Sequence, residues 1–279
     1  MANKQNYIRT IQRQSQAELL KYYQNAELRI RNKLQQAIDR GNDTTHLRNI
    51  QRNVNSEITK LDNLYKRYSV NKIGQIYEIG DDVIKEEVKT FTEKHDLQSK
   101  SFSALPKEAL KTLSDNTYQS LSNITTVMGR RSDDFLRKVG LQSAGDVVIG
   151  SKSVDEVARE LTQELNANNF FHITYANGTR MPARAYSDMV ARTTSAEAYR
   201  EGSKQRILST GYDLVDVIGT SRYPGSPCIP FQGKTLSLDG STKGYQTVSS
   251  AESQGLHHPN CVHDYGLSEK NLSYLNDES

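Results

Sequence analysis

The stretch TTHLRNIQRNVNSEITKLDNLYKRY, residues 44–68, decides the architecture of the first half of this 279-residue chain. Ile50, Val54, Ile58, Leu61, Leu64, Tyr65 and Tyr68 follow one another at steps of 4, 4, 3, 3, 1 and 3, which puts them on one face of an α-helix with polar residues on the others. Thr44 or Thr45 is suited to cap its start. Just upstream, Gly41, Asn42 and Asp43 form a break, and residues 5–40 repeat the pattern. Ile8, Ile11, Leu19, Tyr22, Tyr23, Ile30, Leu34 and Ile38 recur mostly at three- and four-residue steps among Gln, Lys, Arg and Ala. Two amphipathic helices separated by so short a break read as an antiparallel hairpin. A hairpin has too few layers to bury both apolar stripes, so a third element is required, from this chain or from another subunit.

Helical signals continue to residue 165 in what read as shorter pieces. Ile73, Ile76, Tyr77 and Ile79 lead to Gly80, where a break is expected, and Val83, Val88 and Phe91 follow it. Pro106 stands at the start of a helix over 107–128, where its missing N–H is harmless. Ser132 and Asp134 open another over 135–139, and Ser153 with Glu156 makes a capping box ahead of Val157, Leu161 and Leu165. No strand is expected before residue 168. Beyond it the texture changes. Residues 170–175, FFHITY, have the aromatic and β-branched content of a strand, and Asn177 and Gly178 follow as a hairpin turn. A helix over 185–209 closed by Gly211, a buried strand over 214–218 and another over 234–238 complete the reading. Four of the six prolines and six of the 17 glycines lie after Thr220. The expected fold class is a mainly α N-terminal region of long amphipathic helices, residues 1–168, plus a smaller C-terminal α+β domain, residues 169–279.

At 35% hydrophobic and 25% charged residues, a chain of this length buries a substantial core without disulfides. Its longest apolar runs, such as 147–149 and 214–218, fall far short of the roughly 20 residues that cross a bilayer. No membrane partner is therefore expected. The opening residues lack the apolar stretch of a secretory signal, so synthesis in the cytoplasm is expected. Net charge is only +3, but residues 1–70 hold 13 Lys or Arg against 6 Asp or Glu, a local +7 that leaves −4 for the other 209 residues. That basic end reads either as a solvated helical face or as a surface for nucleic acid or an acidic protein. Arg29, Arg31, Lys33, Arg48 and Arg52 are its candidate phosphate contacts.

Both cysteines, Cys228 and Cys261, lie in the last fifth of the chain beside His257, His258 and His263. Thiolate and imidazole suit tetrahedral Zn²⁺, and Cys228, His258, Cys261 and His263 would make a Cys₂His₂ set. His258 and Cys261 stand at a chelating interval, although the overall spacing is not that of a classical finger. Three other readings are open: small buried cysteines with histidines bonded to backbone, a disulfide across 32 intervening residues, and a Cys/His catalytic pair. On the helix over 185–209, a buried Arg192 would anchor the domain to carbonyls or a carboxylate of the tail. There is no phosphate-binding glycine loop, no G-x-S-x-G and no H-E-x-x-H, so neither an enzyme nor a small-molecule substrate is expected.

Three segments in order, YSDMVARTTSAEA at 186–198, CIPFQGK at 228–234 and HPNCVH at 258–263, resemble the tailed-phage minor capsid protein family, the phage minor capsid protein 2-like group related to Mu F-like head morphogenesis proteins. The matching residues are Tyr186, Met189, Arg192 and Thr193 on the helix, Gln232 and Gly233 in the turn, and Pro259 and Asn260 beside the second cysteine. Members often carry a histidine shortly before the first cysteine, where this chain has Arg222 and Tyr223, and a basic residue where it has Val262. The resemblance implies a structural virion protein inside the phage head, made in the host bacterial cytoplasm and present in few copies at the portal vertex. Its partners would be the portal protein and other capsid components, and its role head morphogenesis or genome delivery. An effector module of the kind fused to some related capsid domains is not expected. The other class of function left open is a DNA-binding protein that escorts the genome, using the basic end for phosphate contacts.

Overall fold

The computed structural model describes residues 2–40, 43–148, 152–221, 223–259 and 261–273. The order of elements is α1 (Ala2–Arg40), α2 (Thr44–Lys94), α3 (Lys107–Val148), α4 (Val154–Asn166), β1 (His172–Thr174), β2 (Arg180–Pro182), α5 (Ala183–Ser209), β3 (Leu214–Ile218), a 3-10 turn (Ile229–Phe231), β4 (Thr235–Ser237), α6 (Val248–Ser253) and β5 (Asp264–Leu267). A mainly helical first part with a C-terminal region of small antiparallel sheets is what the periodicities predicted.

Two compact units emerge, and they do not follow a linear cut at residue 168. One comprises Gln16–Ser69 and Asn116–Val190, the other Met1–Ser15, Val70–Asp115 and Ala191–Ser279. In the first unit, Arg29 on α1 reaches Glu57 on α2 at 3.3 Å and His46 reaches the Gln36 carbonyl at 3.1 Å. Contacts converging on the break in this way define an antiparallel hairpin. Its stripes are covered within the chain. Leu19, Tyr23, Ile30 and Leu34 of α1 and Ile50, Val54, Leu61 and Tyr65 of α2 are buried, as are Leu121, Ile124 and Phe135 of α3 and Val157, Leu161 and Leu165 of α4. Each such side chain contributes about 1.5–3 kcal/mol when removed from water. The third layer is thus α3 and α4, and no outside subunit is required to cover these faces.

Ser153 caps α4 with the expected box: its hydroxyl accepts from the Glu156 amide and the Glu156 carboxylate accepts from the Ser153 amide. The β1–β2 hairpin pairs Ile173 with Met181, and Gly178 turns it at a φ of 82°, a region that favours glycine. Phe170 and Phe171 just ahead of it form an edge-on aromatic group with Phe135.

The second unit packs α2 and α5 against a three-stranded antiparallel sheet in the order β4-β3-β5. Val215 is opposite Leu236 on one side and Leu267 on the other. Ile84, Val88 and Phe91 of α2, Ile207 of α5, and Val215, Val217, Leu236 and Tyr265 of the sheet form its core, which also holds Cys228.

Three expectations about helix breaks fail for the same reason. α2 runs unbroken through Gly80, α3 runs unbroken from Lys107 to Val148, and Ser132, expected to open a new helix, is fully buried inside α3. A helix-interior glycine costs only about 1 kcal/mol, so packing decides. Here Gly80 is what lets α2 approach α5, because a Cβ on it would stand 2.2 Å from the Tyr199 carbonyl oxygen. On α5 the buried Arg200 reaches Asp264 of the tail at 3.7 Å, Arg206 instead binds Asp81 of α2 and the Ser103 carbonyl, and Arg192 is half-buried.

Candidate metal centre

Two loops of the second unit bring the cysteines together. The first leaves β3, and Pro227, Cys228 and Pro230 wind it into the 3-10 turn, with the Phe231 amide donating to the Cys228 carbonyl at 3.1 Å. Proline fixes φ and suits such a tight turn. The turn is tied back to β3 where the Gly233 amide donates to the Val217 carbonyl at 3.1 Å, and Gly233 needs its glycine for a φ of 74°. The second loop leaves α6. There Gly255, at a φ of 109°, lets the chain pass so close to the first loop that a Cβ would fall 2.5 Å from Pro227.

Across this junction Cys228 Sγ, Cys261 Sγ and a ring nitrogen of His263 all lie within 4.8 Å of one another. Cys228 and His263 are buried, Cys261 half-buried, and both thiols are free. Cys261 Sγ is 3.5 Å from His263 Nδ1, and His263 Nε2 is 3.4 Å from Gln232 Oε1. His258 Nε2 is 3.3 Å from Cys228 Sγ and 3.0 Å from Ser226 Oγ, while its Nδ1 is 2.8 Å from the Pro259 carbonyl oxygen. Burial pushes the Cys261 thiol up, with Cys228 adding to the rise against opposing backbone hydrogen bonds. Burial also lowers His263, as does its neighbour His258. Imidazole beside thiols is the donor set of a zinc centre, so a divalent thiophilic metal fits these residues.

The His257 side chain takes no part, although its backbone hydrogen-bonds Cys261. Its φ of 56° turns it to the other side, where Nδ1 lies 2.8 Å from Glu252 Oε1 and the ring packs on Tyr265. Burial, set against that carboxylate, lowers its pKa to about 4. Ser226 is the contact that sequence reading missed. Nothing in the sequence two residues before Cys228 marks it, since its bond to His258 spans 32 positions.

The remaining predicted residues are dispersed. Tyr186, Met189, Arg192 and Thr193 are half-buried along α5, Gln232 meets the cluster through His263, and Pro259 through its carbonyl. Asn260 and Arg222 lie outside the described residues. Among the basic residues, Arg48 and Arg52 are exposed one turn apart on α2, Lys33 is half-buried and Arg29 pairs with Glu57. Arg31 points inward. It binds Glu27 at 2.7 Å and the Leu165 and Ala167 carbonyls, with its guanidinium over the rings of Phe170 and Phe171.

Among the described residues, no helix is long and apolar enough to cross a membrane. A family model described as phage minor capsid protein 2 matches residues 18–266. No curated protein and no solved structure matches this chain.

Proposed function

This chain belongs to the phage minor capsid protein 2 family and is a structural phage head protein, and from that premise we propose that it sits inside the head at the portal vertex and acts in head morphogenesis or genome delivery. The observation that carries this reading is the extent of the family match, residues 18–266 of 279. It runs through both compact units rather than one. The portal protein and neighbouring capsid components are its partners, and the finished virion is its location. Burial of both hairpin stripes inside the chain means that docking uses the polar outer faces of the helices. Its role is scaffolding, without catalysis. Within it the Cys228, Cys261 and His263 group holds a zinc ion that braces two loops.

One observation favours a second reading. Arg48 and Arg52, exposed on adjacent turns of α2, present two cations at the spacing of a single helix face, a surface suited to DNA phosphates. Co-expression with the portal protein encoded in the same genome, followed by mass measurement of the purified complex, tests the first reading. A stoichiometric complex that survives nuclease and moderate salt is expected. Recovery of DNA without portal, lost steeply as salt rises, would replace it with genome escort.

A further inference from the structure

Zinc on Cys228, Cys261 and His263 leaves one coordination position, and what fills that position decides what the centre does. A catalytic zinc keeps it for water or substrate; a structural zinc closes it with a fourth side chain. Two further side chains stand against Cys228 Sγ: Ser226 Oγ at 3.1 Å and His258 Nε2 at 3.3 Å. Imidazole is an established zinc donor, whereas a neutral hydroxyl is not among the usual ligands.

Distances agree with the imidazole. With Zn–S near 2.3 Å and Zn–N near 2.0–2.1 Å, donor atoms of a tetrahedral site stand roughly 3.3–3.8 Å apart. The Cys228–His258 separation of 3.3 Å and the Cys261–His263 separation of 3.5 Å both fall in that range, and because only Cys228, Cys261 and His263 among the described residues already stand mutually within 4.8 Å, His258 closes the site by moving toward the other donors when the ion binds. Hydrogen bonding also sets both tautomers for coordination. The Pro259 carbonyl can only accept, so His258 carries its proton on Nδ1 and turns the Nε2 lone pair toward Cys228. Gln232 Oε1, oriented by accepting from the Ser221 amide at 3.3 Å, likewise takes the Nε2 proton of His263 and leaves Nδ1 toward Cys261. A second set of acceptors that fixes ring orientation is the usual accompaniment of histidine ligands.

We propose that His258 Nε2 is the fourth ligand, making with Cys228 Sγ, Cys261 Sγ and His263 Nδ1 a closed structural zinc centre. This rests on the reading of the three-residue group as a zinc site and goes beyond it. The ion then ties the loop between β3 and β4 to the loop between α6 and β5, clamping the approaches to both strands that flank β3. It leaves no position for a reacting water.

The test uses the full-length chain loaded with zinc and, in parallel, with cobalt(II), whose visible bands report tetrahedral geometry. The wild type is expected to bind one ion per chain with tetrahedral bands and a thiolate charge-transfer band. His258→Ala should lose the tetrahedral bands or bind at least about tenfold more weakly. His258→Cys guards against simple misfolding: it should keep one tetrahedral ion and strengthen the charge-transfer band in the ratio of three thiolates to two. Ser226→Ala should leave the spectrum unchanged. A His258→Ala chain with wild-type affinity and bands would overturn the fourth ligand while leaving the zinc site standing. A wild-type chain that binds no stoichiometric metal, or whose intact mass shows a Cys228–Cys261 disulfide, would overturn both.

Discussion

Gly80 on α2 and Gly202 on α5 form a reciprocal backbone contact: a Cβ on Gly80 would stand 2.2 Å from the Tyr199 carbonyl oxygen, and one on Gly202 would stand 2.0 Å from that of Tyr77. Neither position has a flexible side chain that could yield. Alanine at either site should gain the roughly 1 kcal/mol that favours it in a helix interior and lose more to backbone displacement. The net expectation is a destabilisation of about 2 kcal/mol or more. Urea denaturation of Gly80→Ala and Gly202→Ala checks this, and wild-type midpoints for both would show that the helices separate freely.

Asp213, at the start of β3, organises the loop after β4. Its carboxylate accepts from the Ser237 hydroxyl at 2.7 Å and from the amides of Leu238, Asp239 and Thr242 at 2.8, 3.0 and 3.1 Å. Burial alone would raise its pKa, but the hydrogen bonds outweigh burial and hold it far below the ordinary carboxylate range. A depressed folded pKa means that the unfolded chain binds the proton first. The stabilisation is therefore complete above about pH 4 and lost as pH falls through the depressed value. Asp213→Asn should flatten the acid limb of a stability profile and cost roughly 2–3 kcal/mol at neutral pH.

Arg206 is 1% exposed and binds Asp81 through Nε and Nη2. Breaking a buried pair by removing one partner leaves the other charge uncompensated. Lys85, 3.0 Å from Asp81, softens that penalty. Arg206→Ala should cost about 3 kcal/mol, and Arg206→Ala combined with Asp81→Ala should cost clearly less than the sum of the single variants. Additive thermal shifts would mean that the pair is not coupled.

The basic residues of the hairpin should divide by role. Arg31→Ala removes two ring contacts and two carbonyl bonds and should lower stability by about 1–3 kcal/mol. Arg48→Ala with Arg52→Ala should leave stability within about 0.5 kcal/mol. If DNA is bound, the double variant should reduce the slope of log affinity against log salt by roughly 2. Filter binding across a salt series and thermal melts separate these outcomes.

The helical hairpin, the capping box of α4, the β1–β2 turn, the helix closed by Gly211 and the strand over 214–218 were legible because each is written in local periodicity or turn chemistry. Gly80 and Ser132 misled for the complementary reason. Locally each resembles a boundary, and only the element packed against it turns it into an interior position. In the same way Arg31 reads as one more surface cation until the carbonyls after α4 and the rings of Phe170 and Phe171 are placed beside it.

By itself, then, the sequence determined the hairpin helices, the capped start of α4, the helix closed by Gly211, the strand over 214–218, the donor types of the Cys/His group and, through its motifs, the family. These depend on residue identity and spacing over a few turns of chain. Tertiary structure alone decided that α3 and α4 cover the hairpin, that the compact units interleave along the chain, and that Ser226 and Gln232 flank the cluster while His257 turns away. Those outcomes rest on close approaches between residues tens to more than a hundred positions apart, where packing, burial and hydrogen-bond geometry override what any local pattern encodes.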